Sequence, residues 1–496
     1  MKNLYIILVF VLMFGSCDDG FEDLNVNPTK SSQLDPSIKL SYIQLYTGGS
    51  NYVAFLFWNV IHLMENMQQI NNTSYTNSFL YKTGHHYRFF EEQFKTTVKN
   101  IADLEAQLEL SDAPTASVDL AIVKVQKVLI FSRLTDAYGD IPYSEAGKGL
   151  LEGIRFPKYD KQSDIYADML LQLEAATTVL SLGGQSSYGN GDLLYGGDAS
   201  KWKKFANSLM LRLAMRMVKV DPNAAKTWAS KAINGGVMES NMDIAYTQYE
   251  DAADSSGPNV NPLTKCFTSR VQNQIKISGT FMDFMKGNND PRVSVLCSTV
   301  DGKTAFDLQF GQAINDNTKS AANSKPNINI FGGSGIIVYD APFFFQTYAE
   351  VEFMMAEASE RWGIGTGDVE SHYNAGVRAA MEYLELYGAG GIIATADIDT
   401  YLTENPFIAS QALKMINEQY WVATFGNGLE TFSNWKRSGY PALVPLDIAT
   451  TLTNGKIPRR LVYPASESLN NPDNYNAAVI QQGGDDLLTR MWWDAN

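Results

Sequence analysis

Cysteine is nearly missing from this chain of 496 residues, with three in all: Cys17, Cys266 and Cys297. That excludes a disulfide-stapled small scaffold and a thiolate metal site, which needs several cysteines at short spacings. Cys266 and Cys297 keep two readings, a bridge in an oxidising compartment or two buried thiols that pack as small hydrophobes. Histidine is also sparse. His62, His85, His86 and His372 show no His-Glu-x-x-His spacing. Positive charge is in deficit: 39 Lys and Arg stand against 54 Asp and Glu, a net charge of -15. Nucleic acid and anionic lipid are therefore poor partners, because phosphate binding needs a basic face. No Pro/Ser linker or charge block divides the chain, so residues 17–496 are expected to form one large domain. A chain of that size buries roughly 75% of the surface its unfolded form exposes.

The amino terminus carries a strong signal. Lys2 supplies a positive start, residues 4–14 are an unbroken apolar run, and the small pair Gly15-Ser16 precedes Cys17. The run is much shorter than the ~20 residues that cross a bilayer. Residues 1–16 thus read as a secretory signal with a lipoprotein cleavage site, leaving Cys17 to take a lipid. Asp18, Asp19, Glu22 and Asp23 make the next stretch an acidic, solvated tether.

Helical spacing dominates the rest. Residues 118–236 predict four consecutive helices with short connections. The first carries the stripe Val118, Ile122, Val125 and Leu129 and stops at Gly139 and Pro142. The second opens near Asp160 or Ser163. The third opens near Asp198 or Ser200 and buries Trp202, Phe205, Leu209 and Leu213; Lys203, Lys204, Arg212 and Arg216 give it a charged side. The fourth has Asp221 as N-cap and Pro222 at its first position. Further helices are expected over 36–46, 52–67, 89–110, 278–285, 347–362, from 368 to 388, and over 409–425. The fold class is mainly α, built of tetratricopeptide-like helical hairpins with a loop-rich, irregular binding face.

The candidate binding chemistry lies between the helices. Residues 68–77 are rich in amides and hydroxyls and follow an aromatic helix; Tyr81 and Tyr87 come next. Aromatic faces stack on the C–H side of a sugar ring, and amides exchange hydrogen bonds with its hydroxyls. Trp58, Gln69, Asn71, Tyr75, Tyr81 and Tyr87 are the candidate ligand contacts. Two further polar stretches, at about 255–276 and 301–335, are too long to be plain connections, and all three are expected to face one way. The Gly-rich segment 186–197 lacks the Gly-Lys-Ser/Thr of a phosphate loop and reads as a turn. Arg437, Arg459 and Arg460 read as partners of buried carboxylates or carbonyls rather than as ligands of an anionic sugar. No catalytic residues and no cofactor are called. The Asp/Asn clusters leave a structural Ca²⁺ open, without the twelve-residue loop that would specify one.

Five separated motifs then fall in order behind the lipoprotein signal. They are Asp136-Ala137-Tyr138-Gly139-Asp140-Ile141-Pro142-Tyr143, Leu194-Tyr195-Gly196-Gly197-Asp198 with Trp202 and Phe205-Ala206-Asn207-Ser208-Leu209, Asp290-Pro291-Arg292, Ala349-Glu350-Val351 with Ala356-Glu357-Ala358, and Ile457-Pro458-Arg459-Arg460 with Tyr463-Pro464. In these the sequence resembles the SusD/RagB-like outer-membrane lipoproteins, within them the SusD-like-2 subgroup. The resemblance implies a lipid-anchored protein of the outer-membrane surface. It implies a nutrient-binding lid on a SusC/RagA-like TonB-dependent transporter, with an oligosaccharide, or in some relatives a peptide, as ligand. The motifs look like scaffold signatures and do not locate the ligand. Two other classes compete: a surface glycoside hydrolase, for which no carboxylate pair stands out, and a structural adhesin, which would need no transporter.

Overall fold

The computed structural model describes residues 34–49, 64, 67–69, 87–250, 258–264, 275–298, 325–326, 340–443, 453–454 and 456–495. The first helix, α1 (Pro36–Gly48), opens on Asp35, whose carboxylate accepts the Ser37 N–H at 2.8 Å. Next, α2 (Tyr87–Gln93) runs through a π turn (Phe94–Val98) into α3 (Lys99–Glu109). The uninterrupted helix expected over 89–110 therefore carries a wide turn. There the hydroxyls of Thr96 and Thr97 donate back to the carbonyls of Glu92 and Gln93, competing with the helix ladder.

The predicted stack follows as α4 (Ala116–Tyr138), α5 (Gln162–Ser181), α6 (Ala199–Arg216) and α7 (Pro222–Gly235), each packed on the next. Asp198 and Asp221 cap α6 and α7 as their positions predict. Asp160 does not cap α5. It lies in a two-residue strand, and its carboxylate accepts the Tyr143 and Ser144 N–H groups at 3.2 and 2.8 Å, clamping the turn that ends α4. After α8 (Gly279–Gly287) and α9 (Arg292–Leu296), the hairpin of α10 (Tyr348–Trp362) and α11 (Val369–Glu382) repeats the pattern. It opens with a capping box between Thr347 and Glu350. α12 (Thr395–Glu404), α13 (Ala412–Ala423), α14 (Gly428–Ser438), α15 (Ala465–Asn470) and α16 (Pro472–Gln482) complete the described helices. Helix α10 packs on α6 and α13, and α14 on α4, so the hairpins share one continuous apolar core.

The described strands are short and pair antiparallel: β1 (Met67–Gln69) with β5 (Ile275–Ile277), β2 (Ile141–Pro142) with β3 (Tyr159–Asp160), β4 (Ala245–Thr247) with β8 (Phe343–Gln346), and β6 (Cys297–Ser298) with β7 (Lys325–Pro326). Cys297 is a free, buried thiol. The expected charged side of α6 is only half present. Lys203 and Lys204 reach solvent, but Arg212 and Arg216 are buried. Arg212 Nη2 meets Glu350 Oε2 at 2.7 Å, and Arg216 meets Glu430 at 2.5 Å and Asp136 at 3.2 Å. Tyr420 donates to Glu430 at 2.6 Å, and Tyr166 and Trp493 both donate to Asp136. Buried charges persist only when paired and hydrogen-bonded in this way. Isolated from its neighbours, α6 offers no sign of those carboxylates, which come from α4, α10 and α14.

Candidate ligand face and its support

The polar stretches between helices meet where their described edges pair. β1 closes the amide-rich segment on its amino-terminal side, and β5 ends the stretch 255–276. They register as Met67 opposite Ile277 and Gln69 opposite Ile275. β5 also lies against β7, which falls inside the stretch 301–335, and β7 pairs with β6. The described edges of three segments remote in sequence are thus joined by strands only two or three residues long. Met67–Gln69 is strand, where the sequence predicts the end of one helix and the start of a loop. Such a pairing is decided by the distant partner strand and leaves no local periodicity.

Hydrogen bonds from other elements hold the residues that flank these strands. Trp421, on α13, donates its indole N–H to the carbonyl of Met64 at 2.9 Å. Its ring packs edge-on against Phe281 and Phe284 of α8, at centroid distances of 5.0 and 5.7 Å. Asn261 fixes the neighbouring stretch. Its Oδ1 accepts the Leu263 and Thr264 N–H groups at 2.8 and 3.0 Å, and its Nδ2 donates to the carbonyls of Ala341 and Pro342. Neither residue stands out in the sequence: Trp421 looks like one more core aromatic, although Asn261-Pro262 is the N-cap and first-turn pairing that would have flagged a short helical turn.

Of the sequence candidates, Gln69 is the last residue of β1 and Tyr87 the first of α2. Trp58, Asn71, Tyr75 and Tyr81 lie outside the described residues, as do Cys17, the signal segment and most of the two long polar stretches. The predicted helix 52–67 lies there too, apart from its carboxyl end.

The motifs serve the scaffold. Arg292 is held by Asp290 through two bonds, at 2.9 Å from Nε and 2.5 Å from Nη2, and reaches Gln419 of α13 at 2.7 Å. Arg437 grips Glu357 with both nitrogens, at 2.6 and 2.8 Å, and Arg361 adds a third contact at 2.7 Å. Burial alone would raise the Glu357 carboxyl, but Arg437 and Arg361 outweigh it and hold it down at about 2. Arg459 pairs with Asp494, and Arg460 donates to the carbonyl of Tyr138 at 2.7 Å. All three arginines lock the carboxyl-terminal region, and none is left for an anionic ligand. Asp192 makes the Gly-rich segment a turn: its two oxygens accept from Gln44, Leu194, Gly197 and the Trp202 indole, the last at 2.6 Å. Among the described residues no group of His, Cys, Asp and Glu is placed to hold a metal, and no helix is long and apolar enough to cross a membrane.

A family model described as "Starch-binding associating with outer membrane", SusD-like_2, matches residues 33–464. The chain belongs to the SusD-like family. Solved structures agree over most of the chain. A chitin-binding protein is 32% identical, with a TM-score of 0.82 over 93% of this chain and 100% of its own. A SusD homologue from Bacteroides uniformis is 25% identical, with a TM-score of 0.79 over 94% and 100%. A chitin-binding SusD homologue from Flavobacterium johnsoniae is 24% identical, with a TM-score of 0.73 over 92% and 99%, a likeness of fold. No curated protein sequence matches. The SusD-like protein is therefore a non-catalytic binding protein with a nutrient-binding role paired to SusC-type transport, and its family places it at the outer membrane. The helical-hairpin scaffold is that of the family's arc.

Proposed function

We propose that this protein captures a chitin-type oligosaccharide at the cell surface and hands it to a SusC/RagA-like TonB-dependent transporter. What supports the glycan class is the full-length, 32% identical relative described as chitin-binding. The chemistry of the face agrees. Amides such as Gln69 and Asn71 match the acetamido groups of such a sugar, and the rings of Trp58, Tyr75, Tyr81 and Tyr87 offer stacking faces. Cys17 carries the lipid that tethers the body to the outer membrane, and the acidic run behind it keeps the tether solvated. The whole chain from Cys17 onward acts as one binding domain.

Open aromatic-and-amide faces bind weakly, with dissociation constants on the order of micromolar to millimolar, about 4 to 8 kcal/mol. The test is calorimetric titration of the purified protein, without its signal segment, with chitin, malto- and xylo-oligosaccharides and a mixed tetrapeptide pool. Saturable binding of the chitin fragments is expected, weakened at least tenfold by Trp58→Ala or Tyr75→Ala, a loss of about 1.4 kcal/mol. Silence toward chitin fragments alongside a response to another glycan or to peptides would overturn the ligand assignment.

A further inference from the structure

Lys436, on α14, is a lysine that the fold encloses without pairing it. It is 1% exposed, and its Nζ donates to the main-chain carbonyl of Asp136 at 2.7 Å, where α4 ends. The ring centroids of Phe432 and Trp493 stand 4.1 and 4.8 Å from the same nitrogen. An ammonium carries three N–H groups, and one carbonyl with two ring faces is a poor substitute for its water. The carboxylates of Asp136 and Asp494 attract it, but among the described residues neither forms an ion pair with it. Asp136 accepts from Arg216 Nε at 3.2 Å, from the Trp493 indole at 3.0 Å and from the Tyr166 hydroxyl of α5. Asp494 holds Arg459 Nε at 2.7 Å and Arg490 Nη1 at 3.1 Å. Arg216, from α6, and Arg459, whose Nη2 reaches the Lys436 carbonyl at 3.0 Å, face the amine with like charge.

The elements around this amine differ in how easily they open. Phe432 shares α14 with Lys436, Asp136 belongs to α4, and the two helices pack on each other within the common core. Trp493 belongs to residues 483–495, the segment that follows α16. Beyond its packing, that segment is tied by the Trp493 indole on Asp136 and by Asp494 on Arg459 and Arg490. Segments near a chain end open at lower cost than helices packed on both sides. If the ammonium needs water, this segment is the side that yields.

We infer that Lys436 is a pH-sensitive pin for the carboxyl-terminal segment: neutral, it lets Trp493 close over it, and charged, it draws water in and loosens that segment. Burial, opposed by Asp136 and Asp494, brings the amine down to about 7 from an ordinary 10.5. The sign follows. Between those two values the opened segment binds a proton that the closed one does not, so closure strengthens as pH rises. Below about 7 the lysine is charged in both states and the full penalty stays. The inference uses none of the ligand-face residues and stands apart from the glycan reading.

The test is hydrogen exchange of the whole purified protein at pH 6 and pH 8.5, with each rate corrected for its intrinsic pH dependence. In wild type, protection over residues 487–495 should rise by at least about tenfold from the lower to the higher pH, measured against α7 as the internal reference. Lys436→Met keeps the length and the apolar stem without the charge, and should abolish the rise. Lys436→Gln, which keeps a donor toward the Asp136 carbonyl, carries the same expectation and serves if the Met variant does not fold; the wild-type profile needs neither. Protection of the segment indifferent to pH, a rise retained in the uncharged variants, or an equal rise in α7 would each overturn the inference, the last by showing a response of the whole fold and not of this segment.

Discussion

Replacing Glu357 by Gln tests whether the buried pair with Arg437 carries stability. The carboxylate is buried and receives Arg437 at 2.6 and 2.8 Å and Arg361 at 2.7 Å. Gln keeps the shape but strands two cations, and breaking a buried pair from one side costs about 3 to 5 kcal/mol. Linkage gives an independent figure. Arg437 and Arg361 hold the carboxyl down at about 2 when folded against an ordinary 4.5, so at pH 7 the charged form stabilises the fold by roughly 3 kcal/mol. The sign follows from the depressed value: the stabilisation is complete above 4.5 and fades as pH falls toward 2. By pH 3 less than half of it should remain. Urea unfolding of wild type and Glu357→Gln at pH 7, 5, 4 and 3 reads this directly. The gap between the two proteins should be on the order of 3 kcal/mol at pH 7 and shrink by about half at pH 3. A gap below about 1 kcal/mol at neutral pH, or one indifferent to pH, would refute the reasoning.

Two more outcomes follow from single residues. Trp421→Phe keeps the rings against Phe281 and Phe284 but leaves the Met64 carbonyl without its donor, so stability should fall by about 1 kcal/mol. Hydrogen exchange should speed up at residues 64–69 and not in α4 or α6; uniform acceleration would mean that Trp421 supports the core and not the ligand face. His372 has Glu352 Oε2 at 2.6 Å from Nδ1 and the Thr366 carbonyl at 2.6 Å from Nε2. Two acceptors call for the doubly protonated ring. The Glu352 hydrogen bond, opposed by burial, holds the imidazole above its ordinary 6.5, with Asp368 adding to the rise. Its contribution is therefore complete below 6.5 and is lost as pH rises through the raised value. The melting temperature of wild type should fall over that range relative to His372→Gln, and parallel curves would show that the ring is neutral throughout.

The hairpins were legible because they rest on local spacing. The stripe through Trp202, Phe205, Leu209 and Leu213 is buried as its period requires, and Asp198 and Asp221 cap the helices they precede. The five motifs identified the family for the same reason, being contiguous and tied to turns and caps. Arg212 and Arg216 were misplaced because polarity in a helix says nothing about a carboxylate arriving from another hairpin. The sequence leaves the opening of α5 near Asp160 or Ser163 because a cap and a turn clamp use the same kind of side chain. For the polar stretches, composition marks the segments but not the joining of their edges. Met67–Gln69 is too short to show alternation, and what makes it strand is Ile275–Ile277, far along the chain.

That remote partnership has an evolutionary corollary. Because the edges of the face are stitched backbone to backbone, the stitching itself places little demand on which side chains occupy the intervening stretches. Those stretches are free to lengthen, shorten or change their chemistry while the stitches hold. On the proposed reading of this face, a lineage retunes what it harvests by rewriting inserts, with the helical frame left untouched.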